Sequence, residues 1–118
     1  MKRLLSSVIA IAALAGAAAA LAATNATTIA RLVRVTSPAR RNSYATLVAH
    51  VAPARRCRIS VLYKSGPSEA RGLNPKRPMH GVVSWTWKVG GNTTLGRWPI
   101  QVNCGSAGSF RTHFRVIH

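Results

Sequence analysis

Acid is what this chain most lacks. Among 118 residues there is one carboxylate side chain, Glu69, against 17 lysines and arginines, for a formal charge of +16. That scarcity excludes whole classes of chemistry. Glycoside hydrolysis by a carboxylate pair needs two acids. A Ser-His-acid triad would have to recruit Glu69 from an arginine-flanked loop. Cysteine is scarce too: Cys57 and Cys104 are the only two. If oxidised, they have a single connectivity, and no thiolate is left to act as nucleophile or ligand. His50, His80, His113 and His118 show no close ligand spacing and no acidic helpers, against the habits of zinc sites. They read as surface imidazoles that add positive charge on acidification. The expectation is a protein that is not an enzyme and has no cofactor, metal or catalytic residue.

The N-terminal stretch reads as an export signal. Lys2 and Arg3 precede an alanine-rich apolar run over 4–21, and Ala20-Leu21-Ala22 supplies the small-x-small pattern of a cleavage site. The expected organisation is a signal peptide at 1–22, a short polar linker at 23–28 and one domain at 29–118. An uncleaved anchor is the alternative, because the run approaches the ~20 residues that span a bilayer. The polar stretch Thr24 to Thr28 directly after it favours cleavage. Without the signal, fifteen basic residues face Glu69, about +14 on a single small domain. The expected location is secreted, either extracellular or associated with the periplasm or cell envelope. A disulfide persists in that setting, and closing so long a loop contributes about 4 kcal/mol in the chain-entropy model.

Helical periodicity is missing after the signal. Short alternating segments recur instead between turn residues. They are expected at 29–36, closed by Ser37-Pro38; at 44–51, ending at Pro53; and at 58–64, with Ile59, Val61 and Tyr63 on one face. Further segments follow at 82–88, with Val83, Trp85 and Trp87 together; at 97–104, with Trp98, Ile100, Val102 and Cys104 together; and at 109–117, with Phe110, Thr112, Phe114 and Val116 together. Pro99 has no ladder donor, so it should sit at a strand start, a bulge or an edge. Residues 65–80 are rich in Gly and Pro and are expected to form a long loop across the end of the domain. The count predicts an all-β, immunoglobulin-like β-sandwich of about six to seven antiparallel strands. Cys57 opens its strand and Cys104 closes its own, both with inward parity. Antiparallel neighbours would bring the two sulfurs together at one end of a single sheet.

Tyr63-Lys64-Ser65-Gly66-Pro67-Ser68, Gly72-Leu73-Asn74-Pro75-Lys76, the run Gly81 to Gly90 (GVVSWTWKVG), Thr93 to Ile100 (TTLGRWPI) and Cys104 together resemble a small β-sandwich module of exported bacterial proteins. The resemblance covers roughly half of the chain after the signal. It implies export, the sandwich fold and the disulfide, and it implies no catalytic residues. The flanking strands depart from it in their load of arginine. The triplets Asn25-Ala26-Thr27 and Asn92-Thr93-Thr94 would accept glycans only in a pathway equipped for it, which a bacterial module would not meet.

The basic residues carry the strongest functional signal. Arg40-Arg41 and Arg55-Arg56 flank the second strand. Arg58, Lys64, Arg97, Arg111 and Arg115 have outward parity on three strands that a sandwich makes neighbours, and Gln101 and His113 join them. Arginine dominates, and its guanidinium binds phosphate and sulfate in a bidentate way. The leading expectation is a monomeric secreted binding module whose cationic sheet face meets an extracellular polyanion: envelope polymer, anionic lipid or acidic polysaccharide. A second reading is a neutral-carbohydrate or protein-binding sandwich that uses exposed Trp85 and Trp87 or the 65–80 loop. A third is nonspecific nucleic-acid binding, which needs aromatics beside the basic groove.

Overall fold

Strict alternation of apolar and polar side chains sets the strands. The computed structural model describes residues 27–118; the expected signal and most of the linker lie outside them. Eight strands follow in order: β1 (Ile29–Val35), β2 (Ala39–Arg40), β3 (Tyr44–Ala52), β4 (Arg58–Tyr63), β5 (Gly66–Pro67), β6 (Val82–Lys88), β7 (Gly96–Asn103) and β8 (Ser109–Ile117). In β6 every second residue is buried and every other one exposed, as a half-buried strand requires.

Two sheets result, one ordered β1-β3-β6 and the other β2-β8-β7-β4-β5. The first, second and fourth long strands (β1, β3 and β6) thus face the third, fifth and last (β4, β7 and β8). This is the arrangement of an immunoglobulin-like sandwich. The long strands pair antiparallel, as expected, but β2 runs parallel to the end of β8 through Ala39↔Val116 and Arg40↔Ile117. The chain reaches β2 by leaving the first sheet at Thr36 to Pro38, so it arrives beside β8 in the same direction. The two-residue strands β2 and β5 were not visible in the alternation, because two residues carry no period.

The core between the sheets holds Leu47, Val51, Val61, Trp85, Trp87, Ile100, Val102, Phe114 and Val116, all essentially inaccessible to solvent. Burying an aromatic or aliphatic side chain of this kind contributes roughly 1.5–3 kcal/mol. Each buried indole also has a partner for its N–H: Trp85 donates to the Asn74 carbonyl at 2.8 Å and Trp87 to the Tyr63 hydroxyl at 3.3 Å. Trp98, expected in the core, is only half-buried; it packs on the core's edge and donates to the Thr94 carbonyl at 2.8 Å. It lies near the start of β7, beyond Val61↔Ile100, the last β4–β7 pair.

Cys57 and Cys104 form the disulfide, with Cα atoms 4.0 Å apart. They follow directly on the β4–β7 pair Arg58↔Asn103, so the bridge joins neighbours at one end of one sheet, as their parity predicts. Pro99 lies one residue past Val61↔Ile100, the last β4–β7 pair; on that side β7 is an edge.

The 65–80 segment corrects the expectation of a loop across the end. It runs down the flank as a strap. β5 folds back on β4 (Leu62↔Pro67), the Ser68 N–H donates to the Val61 carbonyl, and Cys57 and Lys76 exchange two backbone bonds at the disulfide end. On its other side the strap touches β6, through the Asn74 carbonyl and through Lys76 Nζ, which donates to the Ser84 carbonyl at 2.8 Å. An open edge of each sheet is thereby covered, which removes two templates for aggregation.

Candidate functional site

Register places the outward side chains of β8, β7 and β4 in rungs. Arg97 stands directly opposite Arg115, Pro99 opposite His113, Gln101 opposite Arg111, and Asn103 opposite Ser109. From the other side Ser60 meets Gln101 and Arg58 meets Asn103. Because residues of like parity share a face, Arg58, Arg97, Gln101, Arg111, His113 and Arg115 stand on one surface, and all six are exposed. The top and bottom rungs are six residues apart on β7, about 20 Å at the usual strand rise.

Lys64 does not join them. β4 ends at Tyr63, and Lys64 sits in the turn to β5. It lines a separate hollow of about 640 Å³ with Tyr63, Ser65 and the loop Gly90 to Thr94. Parity fails as soon as a strand gives way to a turn, and the turn begins one residue earlier than the alternation suggests.

The face itself has two open hollows. The upper, about 350 Å³, is lined by Ser37, Arg97, Thr112, His113, Phe114 and Arg115. The lower, about 490 Å³, is lined by Arg56, Arg58, Ser60, Gln101, Asn103 and Gly105. Arg56 was noted in the sequence only as a basic residue flanking the second strand, and Ser60 and Asn103 were not assigned to the face. Ser60 and Asn103 have the outward parity that could have found them, whereas Arg56 precedes its strand and carries no parity.

No acid shares the face among the described residues; Glu69 is exposed on the strap beyond β5. Arg97 and Arg115 are like charges directly across a strand pair, an arrangement that costs stability. Trp85 and Trp87 are fully buried, which removes the exposed aromatic platform of the neutral-sugar reading. Among the described residues no three His, Cys, Asp or Glu side chains gather where they could hold a metal ion.

No family model matches the chain, and no curated protein matches it. Among solved structures the chain is similar to one described as the titin domains z1z2 in complex with telethonin, at 18% identity over 77% of this chain and with a TM-score of 0.47. The match spans 48% of that chain, about half its length.

Proposed function

We propose that this protein is an exported, non-catalytic binding module that associates with extracellular polyanions through the outer face of its second sheet. The observation that carries the reading is the directly opposed pair Arg97 and Arg115, on a face that also holds Arg58, Arg111 and His113. Like charges held face to face are unfavourable until an anion bridges them. Guanidinium groups bind phosphate and sulfate oxygens through paired hydrogen bonds. The disulfide and the resemblance to exported bacterial modules support the location. A neutral-sugar role would have to rest on the strap alone, and base stacking would need aromatics that this face lacks.

The test uses oxidised protein of residues 23–118, titrated against an anionic wall polymer, anionic vesicles, DNA and a neutral polysaccharide at low and high salt. Binding to anionic ligands that weakens steeply with salt, and is abolished in Arg97→Glu/Arg111→Glu/Arg115→Glu, is the expected result. Binding confined to the neutral polysaccharide, or binding indifferent to salt, would overturn the reading.

A further inference from the structure

The lower hollow differs in kind from the rest of the cationic face. Its walls come from the residues that flank the two cysteines: Arg56 and Arg58 on either side of Cys57, and Asn103 and Gly105 on either side of Cys104. The disulfide therefore ties the two halves of the hollow together from beneath. Both cysteines are fully buried, so the covalent link lies on the core side of the sheet while the flanking side chains line the hollow on its outer side.

The polar groups of this hollow are also sorted. Neighbouring cations are engaged in the fold: Arg55 Nε donates to Ser106 Oγ at 3.0 Å, and Arg77 donates to the Ala54 carbonyl at 3.0 Å. Among the described residues no side-chain hydrogen bond engages Arg56 or Arg58, and both are exposed. Asn103 Oδ1 accepts the Gly105 N–H at 2.9 Å, which fixes the amide and leaves its NH₂ end to donate. Ser60 and Gln101, side by side in the register, add a hydroxyl and a second amide that can both donate and accept. Two guanidiniums beside three neutral polar side chains are more than a bare anion needs. At about 490 Å³ the hollow falls in the ordinary range of small-ligand sites, roughly 300–1,000 Å³.

We infer that this hollow is the specificity subsite of the face, and that it takes a phosphate or sulfate ester carried on a sugar or polyol. The guanidiniums of Arg56 and Arg58 hold the ester oxyanion; Ser60, Gln101 and Asn103 hydrogen-bond the hydroxyl groups of its carrier. Arg97, Arg111 and Arg115 above it supply attraction without such selection. This inference rests on the proposed polyanion binding and refines it.

Matched-charge variants separate the two. Wild type, Arg56→Gln/Arg58→Gln and Arg97→Gln/Arg115→Gln each bind, in calorimetry, a sulfated tetrasaccharide, a glycerol-phosphate oligomer and inorganic tetrapolyphosphate, the last having no hydroxyl carrier. The lower pair should lose about tenfold or more on the two hydroxyl-bearing probes, as loss of charge-assisted hydrogen bonds does, and the upper pair clearly less. Gln101→Ala and Asn103→Ala, which change no charge, should weaken only the hydroxyl-bearing probes. Gln101 makes no side-chain hydrogen bond among the described residues, so its variant stays informative if loss of the Asn103–Gly105 contact disturbs the turn. Whichever ester binds more tightly identifies the anion. Equal losses in both arginine pairs, with Gln101→Ala silent, would overturn the subsite and leave polyanion binding standing. Failure of the wild type to bind any of the three probes would overturn both.

Discussion

At the scale of single residues, Tyr63 shows how the core tolerates a polar atom. Its ring meets Phe114 at 6.0 Å and Trp98 edge-on at 6.4 Å, and its oxygen accepts the Trp87 indole N–H. Burial pushes the phenol above its ordinary value, and the Trp87 hydrogen bond offsets part of that rise. A phenol whose pKa is higher folded than unfolded favours the folded state in its neutral form. Its contribution is complete below pH ~10, where the unfolded chain also stays protonated, and fades as pH rises through the folded value. Alkaline titration followed at 295 nm should therefore show a phenol that ionises later in native than in urea-unfolded protein. Tyr63→Phe should remove that late step and, by stranding the buried Trp87 N–H, lower stability by about 1–3 kcal/mol. A late step that survives in the variant would show that Tyr63 is not its source.

Among the elements, the strap is the part that touches an edge of both sheets. Gly72 is its tightest point, with φ +94° and a position where a Cβ would lie 1.9 Å from the Thr86 carbonyl oxygen. Both the backbone conformation and the approach to β6 require glycine. Gly72→Ala should cost about 2–5 kcal/mol, adding left-handed strain to a steric clash. Gly66→Ala, at φ +120° with open space around it, should cost only the strain, about 1–2 kcal/mol. Urea midpoints compare the two, and the reverse order would mean that the strap contributes little to the fold. Alternation made the long strands legible: the bounds of β6 and β8 follow from it directly, and those of the other long strands to within a residue. The strap's course was not legible, because no period marks a segment held by a two-residue strand, scattered backbone bonds and one lysine. The same boundary explains the site. Parity put Arg58, Arg97, Gln101, Arg111, His113 and Arg115, which lie inside strands, on one sheet face, where the register has them. It misplaced Lys64, just past the end of β4, and it could not reach Arg56, just before its start.

For the described domain as a whole, the question is whether its fifteen lysines and arginines act as one diffuse charge or as one face. They are not confined to the second sheet. On the outer side of the first, Arg31 stands opposite His50, Arg34 opposite Val48 and Lys88 opposite Tyr44. That side differs in what lies between its cations: Thr46 and Thr86 hydroxyls bond to each other at 2.8 Å, and Val82 and Tyr44 are exposed. Packed sheets are about 10 Å apart before their outward side chains are counted. At physiological salt the screening length is about 8 Å, so an anion bound to one face hardly senses the other. Long-range attraction sums over the whole molecule and governs encounter, but contact and release of counterions are local. Two neutralised triples with the same loss of charge, Arg97→Gln/Arg111→Gln/Arg115→Gln and Arg31→Gln/Arg34→Gln/Lys88→Gln, should then behave differently. The slope of log affinity for an anionic polymer against log salt should become shallower by about 2–3 in the first triple, as expected for three lost contacts, and by less than about 1 in the second. Equal slopes would mean that the polymer reads net charge alone, and the second sheet would then hold no special place in binding.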